Sequence, residues 1–374
     1  MVVSASNHNE DHEHQDNSGL TQEEEDEREK QRNAEFVIHH TKDSHDFGFV
    51  VDQSEDKHYG FSLPVILYDE GFHFFSSSSF DHGHKIAESD GKFYKIDSHD
   101  GKIYKCDEHG TVLTKKIVEK ITETIIDPVS GEEKEITREE ITYEPLMPLD
   151  FSITKNVVVI FLMCIFMFFF FKSIAKSYKS GLAPSGAAKF FEPIILFIRD
   201  DIAVPNIGEK QHKKYMVYLL TVFFFIWFLN LAGMTPLGIN VTGNLAVTCV
   251  LALVTFSITT FTGNKNYWMH IFWMPGVPIP MKIILIPIEL IGMVVKPFAL
   301  MIRLYANMLA GHIVLGMLLV TVYSFHNYFA SGAFVGLTFF MNIIELLVAL
   351  LQAYIFTMLT ALYFGSASAT AEHH

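Results

Sequence analysis

Five apolar runs in the later part of this chain most constrain what it can fold into. A helix needs about 20 mainly apolar residues to span a bilayer, and these runs cover about 153–171, 215–237, 244–262, 281–323 and 333–364. The chain before Asp150 is instead polar and acidic, and the net charge is −14 although 49% of the residues are hydrophobic. The sequence therefore predicts a mainly α-helical, polytopic membrane protein with a small extramembrane domain at its N-terminus.

Lysines cluster beside one end of each of the first three apolar runs. They follow the first run, precede the second and follow the third, at Lys172, Lys176, Lys179, Lys210, Lys213, Lys214 and Lys265. Because cytoplasmic flanks are rich in lysine and arginine, we expect the N-terminal domain outside and the C-terminus in the cytoplasm. The first residues do not resemble a secretory signal, so either the first span exports the domain or a signal is missing from this chain.

The segment PSGAAKFFEPIILFIRDDIAVP, at about 184–205, mixes apolar residues with scattered charges and is bounded by prolines. This pattern is typical of a helix that lies in the membrane interface. A short sixth span is the alternative interpretation.

The N-terminal part divides into two regions before the membrane domain at 149–374. Residues 1–46 form an acidic, His-rich tail that we expect to be disordered, and residues 47–148 contain short β-rich runs separated by turn residues. DGKFYK at Asp90 recurs as DGKIYK at Asp100, and Asp-Gly predicts tight hairpin turns. We expect a small β-rich domain on the outer side, folded over the mouth of an outer channel.

Histidines and cysteines in the chain give little sign of a metal or redox site. The histidines have no standard zinc spacing, which favours adventitious or buffering roles over a metal site; they include His8, His12, His14, His39, His40, His82 and His84. The three cysteines are Cys106, Cys164 and Cys249, so the β-rich domain has no internal disulfide partner.

The last two apolar runs are each longer than an ordinary span. About forty residues of helix extend roughly 60 Å, twice the hydrocarbon thickness, so we expect tilting or bending, with Pro287 and Pro297 as candidate points. The link HNYFASG at 326–332 predicts that the two helices form an antiparallel hairpin. The midpoint between His312 and Glu345 falls inside that link, which predicts that these two side chains lie at one depth.

Ionisable side chains in apolar helices are costly, at about 2.5 kcal/mol or more for an arginine. Arg303 lies in KPFALMIRLYANMLAGHIV with no nearby carboxylate, and the hairpin count places it near the level of Gln352. Arg303 cannot release a proton, so its role would be electrostatic. A lone His312 or Glu345 can simply satisfy a neighbour, but together with Glu289 they favour a proton relay.

The motifs KPFALMIRLYANMLAGH and IIELLVALLQAYIFTMLTALYFGSASA resemble those of subunit a of the Fo sector of F-type ATP synthases. The resemblance covers roughly 149–369 and includes FLNLAGMTP and NVTGN of the middle spans. It implies a non-catalytic membrane subunit that carries protons through two offset half-channels to a ring of c subunits. Its implied partners are the c ring, the b subunits of the peripheral stalk, the rest of the FoF1 complex and the lipid bilayer, with no nucleic acid, cofactor or metal.

The same resemblance implies roles for single residues. Arg303 would be the essential arginine that faces the rotor, with Asn307 and Gln352 as polar companions. The outer half-channel would contain Glu289, His312 and Glu345. We expect polar residues such as Asn230 and Asn240 to line the same channel. The chain departs from one common family pattern, in which the acid follows the glycine and the histidine lies on the last helix. Which of His312 and Glu345 receives the proton first therefore stays open.

Two other functions fit some of these features. One is a proton-coupled secondary transporter, which would need a substrate pocket and often repeated spans. The other is a periplasmic binding module with a membrane anchor, although five segments with buried charges exceed what an anchor needs. Coupling to protons is favoured over coupling to sodium, and the resemblance predicts a bacterial inner membrane location.

Overall fold

A computed structural model describes residues 43–52, 57–83, 85–97, 100–126, 133–178, 186–235, 239–273, 278–324 and 328–368. The tail predicted to be disordered lies outside these ranges up to residue 42. Among the histidines considered above, those at positions 8, 12, 14, 39, 40 and 84 also lie outside them.

The N-terminal part is β-rich, as predicted. The strands among its described residues are β1 Asp46–Asp52, β2 Lys57–Ser62, β3 Pro64–Tyr68, β4 Phe72–Ser76, β5 Ala87–Ser89, β6 Lys92–Ile96, β7 Ile103–Cys106, β8 Thr114–Ile126, β9 Glu133–Pro145 and β10 Leu149–Asp150. They form antiparallel sheets in the orders β1-β2, β10-β3-β4, β5-β6-β7 and β8-β9. We call the described residues from 43 to 150 the head.

The first Asp-Gly pair forms the tight turn that its sequence predicts. Ser89 pairs with Lys92 across a two-residue loop, and Asp90 and Gly91 have φ values of 52° and 75°. Two positive φ angles match the twist of antiparallel strands, which explains the preference for Asp-Gly at this position.

The head has its own small core between two of its sheets. Val65 and Leu67 of β3 pack with Phe80, Tyr94 and Ile103. Asp69 is buried beside them and accepts a hydrogen bond from Lys105 at 2.5 Å. Burial alone would raise the pKa of Asp69, but this bond and the nearby Lys92 lower it below its usual value. The charge is therefore compensated inside the head.

Helices make up the membrane domain, with bounds close to those predicted. They are α1 Lys155–Tyr178, α2 Ala187–Phe197, α3 Val204–Ile207, α4 His212–Gly233, α5 Leu245–Thr262, α6 Lys265–Phe272, α7 Ile279–Ser324 and α8 Tyr328–Ser368. Five of them in the described ranges, α1, α4, α5, α7 and α8, are long and apolar enough to cross a membrane. The prediction of about five spans is confirmed.

The predicted interfacial segment is helical. A π-helical turn at Ile198–Ala203 joins α2 to α3, and Ile198 and Ile202 of this turn are buried in the main core of the membrane domain. The charged residues of the turn, Arg199, Asp200 and Asp201, stay exposed, and Arg199 pairs with Asp200 at 2.7 Å. The short helix α6, between α5 and α7, was not predicted.

The two long helices α7 and α8 pack against each other and against α4 and α5. Leu304 of α7 and Phe356 of α8 share one hydrophobic cluster with Phe224 of α4. Lysine-flanked helix ends come together, since the hydroxyl of Tyr215 on α4 bonds Thr262 of α5 at 3.0 Å. The Tyr215 ring also stacks on Phe364 of α8 with centroids 4.5 Å apart. We call this end of the bundle the lysine end, and the opposite end the hairpin end.

Candidate functional site

His312 and Glu345 meet across the α7–α8 hairpin, as the midpoint count predicts. The His312 Nδ1 and Glu345 Oε1 atoms are 3.9 Å apart, and the two side chains are only 14% and 10% exposed. His312 and Glu345 each lie in an apolar run, where an isolated ionisable group is costly. Their close approach lets each side chain compensate the charge of the other.

Two glycines allow this approach. A Cβ at Gly311, next to His312, would lie 2.8 Å from Oε1 of Glu345. A Cβ at Gly233, the last residue of α4, would collide with Met308 and would lie 3.5 Å from Cε1 of His312. Because these two glycines have no side chain, α4, α7 and α8 can approach one another closely around the pair.

Asn230 is buried on α4 and joins this helix to its neighbours. Its amide nitrogen donates to the carbonyl oxygen of Ala349 at 3.4 Å, one turn beyond Glu345 on α8. Its amide oxygen accepts from the hydroxyl of Thr242 at 2.8 Å. Asn230 therefore fixes the loop between α4 and α5 beside α8, and Thr242 is a member of the network that sequence reasoning missed.

Asn240 lies in that loop and is 3% exposed. Both atoms of its amide group are buried without a hydrogen-bond partner among the described residues. A Cβ at Gly243 would overlap the amide, so the glycine makes room for it. Neighbouring Ile239 places its carbonyl oxygen 3.0 Å from a Cβ built at Gly233, close to His312. We call His312, Glu345, Asn230 and Asn240 the hairpin-end cluster.

Arg303 occupies a different surface. It is exposed on α7, as is Asn307 one turn later. Apolar side chains surround it, including Phe298 and Ile302, which are 57% and 50% exposed. Within the described ranges, no hydrogen bond or ion pair joins the guanidinium to another side chain. Gln352 is buried on α8, and the structure contains no hydrogen bond between it and Arg303, although the hairpin count places them at one level.

Glu289 is not part of the hairpin-end cluster, contrary to expectation. It precedes His312 on the continuous helix α7 by about 35 Å, at about 1.5 Å per residue. It lies instead near Tyr267 of α6, where burial first and the Glu289 carboxylate second raise the pKa of the phenol. Glu289 and the pair lie at different depths along the bundle. The angular position of Glu289 on α7, on which the prediction relied, does not report this depth.

A pocket at the lysine end lies between α5, α6, α7 and α8. Its polar lining consists of Thr255, Thr259, Tyr267, Lys296, Tyr363 and Ser366. The Lys296 ammonium lies 5.8 Å from the centre of the Tyr363 ring, and the hydroxyls of Tyr218 and Thr255 are 2.8 Å apart. We call these lining residues the lysine-end pocket; they were not selected from the sequence because each hydroxyl alone is ordinary in an apolar helix.

The head contacts the membrane domain at the loop that carries Asn240. Asp43 accepts hydrogen bonds from Thr154 Oγ1 at 2.8 Å, from the Asn156 backbone at 3.1 Å and from the Asn244 amide at 3.4 Å. Burial raises the pKa of Asp43, although the bond from the Asn156 backbone opposes this. Asn244 also caps α5 by accepting from the Ala246 backbone at 2.9 Å.

Apolar contacts extend this junction. Phe47 and Leu63 of the head form one cluster with Leu229, Ile239 and Val241 of the membrane domain. Close by, His45 Nε2 lies 2.8 Å from a carboxylate oxygen of Asp150. Burial alone would raise the pKa of Asp150, but the bond to His45 lowers it. The head is therefore packed on the hairpin end of the bundle.

The decisive comparison concerns the membrane domain. Residues 157–365 match the family described as ATP synthase A chain, which is more than half of the 374 residues. The chain belongs to this family. It is an ATP synthase A chain member with a multi-pass membrane fold, as the resemblance implied.

Individual members of the family are similar to this chain over about 60% of its length. ATP synthase subunit a 2 of Chlorobaculum tepidum is 43% identical over 234 residues, which is 60% of this chain and 66% of that protein. ATP synthase subunit a of Myxococcus xanthus is 41% identical over 232 residues, with 60% and 76% covered. For ATP synthase subunit a of Chlorobium phaeobacteroides strain BS1 the values are 44% over 234 residues, with 60% and 68% covered.

The head matches a different family. Residues 36–127 match a domain of unknown function, DUF8433. This match includes β1 to β8 and ends before β9, so it covers most of the head and assigns it no role.

Proposed function

We propose that this chain is the proton-translocating stator subunit of the Fo sector, which couples proton flow to the rotation of a c ring and so to ATP synthesis. The single observation that carries the proposal is the exposed Arg303 on an apolar face of α7. A guanidinium facing lipid is costly, and the described residues supply no partner carboxylate. A partner chain with a carboxylate at membrane depth would cover the guanidinium and supply the opposite charge that the described residues lack.

The hairpin-end cluster supports an entry path. His312 and Glu345 can pass a proton between a nitrogen and an oxygen that are 3.9 Å apart after a small side-chain rotation, since a direct transfer needs about 3 Å. Asn240 has a buried amide without a partner among the described residues, which suits a polar conduit. Asn230 holds the wall of this path by bonding Ala349 and Thr242.

The lysine-end pocket supports an exit path. Its hydroxyl groups lie on three helices, α5, α6 and α8, and approach the same stretch of α7 that carries Lys296. Glu289 lies near Tyr267 at this end, so we assign it to the exit and not to the entry. The two paths are then offset along α7, with Arg303 between His312 on one side and Lys296 on the other.

The charge of Arg303 explains the coupling. A ring carboxylate that has received a proton is neutral and can enter lipid, whereas burying it charged would be very costly. A carboxylate that has lost its proton to the exit path is attracted by Arg303. The permanent charge also repels a proton that would cross directly between the two paths. Rotation of the ring is then the open route, and other subunits form ATP.

The proposal includes an orientation and partners. Lysines at the ends of α1, α4 and α5 support an orientation with the lysine end in the cytoplasm and the head in the periplasm of a bacterial inner membrane. The domains would be a tail at 1–46, a β-rich domain at 47–148 and the membrane domain at 149–374. The c ring would lie against the Arg303 face, and the b subunits of the peripheral stalk would hold the chain in the rest of the FoF1 complex.

Cysteine cross-linking in the assembled complex tests the placement of the ring. The parent chain has Cys106, Cys164 and Cys249 replaced by serine, and Asn307→Cys introduces one thiol beside Arg303. We expect a cross-link between this thiol and a cysteine placed near the ring carboxylate. Phe168→Cys is the matched control, because Phe168 is 63% exposed on α1, away from the hairpin. A cross-link from position 168, with none from position 307, would overturn the proposal.

A further inference from the structure

One face of the sheet β10-β3-β4 is apolar and uncovered. Tyr68, Phe72 and Phe74 are 43%, 60% and 67% exposed, and Leu149 and Phe151 are each 60% exposed. Most large apolar side chains in a small domain are buried, and a contiguous exposed patch of them indicates an interaction surface. We call these five residues, four of the head and Phe151 directly after it, the aromatic face of the head.

The strand register shows that these side chains belong together. Tyr68 pairs with Phe72 across β3 and β4 and with Leu149 across β3 and β10, and paired residues share one face of a sheet. The rings of Tyr68 and Phe72 are 5.1 Å apart, and those of Phe72 and Phe74 are 6.0 Å apart. His73 and Asp150 of the same strands point the other way, since His73 is buried and Asp150 bonds His45.

The chain ties this face to the start of the first span. Phe151 donates its backbone N–H to Ile66 of β3 at 2.8 Å, and α1 begins at Lys155. Four residues span at most about 15 Å, so the lower edge of the aromatic face is held close to the membrane boundary. Lys155 and Asn156 are both buried against protein, and so they do not place a polar group in the lipid.

The lysine-free stretch of the first span, Val157 to Phe171, is about 22 Å of helix, against about 30 Å of hydrocarbon. The whole helix α1 is long enough to cross a membrane, and Lys172 and Lys176 lie at its lysine end. The extended residues Ile153 and Phe151 continue the apolar surface at about 3.3 Å per residue. Tyrosine and other aromatic rings above them suit the headgroup region.

We propose that the aromatic face of the head is a lipid-binding surface that inserts into the outer headgroup and upper acyl region of the bilayer. The occupant is a phospholipid surface, and Phe151 lies deepest, followed by Phe74 and then Phe72. This anchor fixes the head beside α1 and thereby helps to hold it on the loop that carries Asn240.

Depth-dependent fluorescence quenching tests the surface in the assembled complex, reconstituted in phosphatidylcholine vesicles. Phe151→Trp, Phe74→Trp and Phe72→Trp each add one indole to the constant background of the complex, which includes Trp227, Trp268 and Trp273 of this chain. We expect phosphatidylcholine brominated near the headgroup to reduce the added fluorescence, most at 151 and least at 72. Glu70→Trp, in the exposed turn beyond Phe72, is the control and should lose no added fluorescence.

Two other outcomes would overturn the proposal. If the added indoles are quenched by aqueous acrylamide and not by brominated lipid, the aromatic face is exposed to water. Indoles protected from both quenchers would show that another subunit covers the face. Because a tryptophan can disturb the fold, the unsubstituted complex should also be labelled with a photoreactive phospholipid and its peptides mapped. Labelling of 64–76 or 147–153 supports the surface, and labelling confined to the membrane helices contradicts it.

Discussion

His312 of α7 and Glu345 of α8 lie 3.9 Å apart, nitrogen to oxygen, although 32 residues separate them in the chain. We predict that His312→Ala and Glu345→Ala each slow ATP-driven proton pumping by about 100-fold or more, as for loss of a positioned proton carrier. The exchange of both residues, His312→Glu with Glu345→His, should retain more activity than the two single losses combined. Contacting residues give such non-additive effects, and additive losses would show that the pair does not act together.

Gly311→Ala provides a steric test of the same pair. The new Cβ would lie 2.8 Å from Glu345 Oε1, so the carboxylate must move away from His312. A displacement of about 1 Å can cost about 100-fold in rate, and we expect a loss of pumping with normal assembly. Gly292→Ala on the same helix is the control, because a Cβ there meets nothing within 4 Å. Equal activity of the two variants would contradict the proposed role.

The depth of the pair could be predicted from sequence because antiparallel helices joined by a short link must face each other at equal distances from it. The same count would have found Gly311 opposite Glu345. Glu289 was misplaced by its angular position on α7, which says nothing about depth. Asn230 and Thr242 are joined by a loop whose shape depends on contacts with α8. The strands of the head followed from turn residues, whereas its docking on Ile239 and Val241 involves ordinary apolar side chains.

Asp43 predicts a pH dependence for the head. Its pKa is raised by burial, so its contribution to stability is fully present below the ordinary aspartate pKa of about 4 and is lost as pH rises through the raised value. We expect the stability difference between the parent complex and Asp43→Asn to favour the parent more as pH falls from about 7 to about 4. Thermal unfolding of both complexes across this range measures the difference.

Asp107→Asn is the control with the opposite sign. Hydrogen bonds from the Thr111 backbone lower the pKa of Asp107, so its contribution is present above the ordinary value and lost as pH falls through the lowered one. If the stability difference between parent and variant changed with pH in the same direction for both aspartates, the raised pKa assigned to Asp43 would be contradicted.

Leu63 tests the contact between the head and the membrane domain. It is 4% exposed and packs with Leu229 and Ile239, so Leu63→Ala should cost about 2–5 kcal/mol of local stability. We expect faster proteolysis of the head in the assembled complex. Leu113→Ala is the control, because Leu113 is 43% exposed. Equal proteolysis rates for the two variants would show that the head does not depend on this contact.

Arg303 offers the most direct test of the whole account: ATP-driven proton pumping and passive proton permeability, measured in vesicles that contain the complex with Arg303→Lys or Arg303→Ala. A compact ammonium cannot contact two acceptors as a guanidinium does, and it can lose its proton when desolvated. We therefore predict no coupled pumping in either variant, normal assembly in both, and a passive proton leak in Arg303→Ala. Pumping by Arg303→Lys at the rate of the unsubstituted complex would contradict the claim that this guanidinium separates the two proton paths.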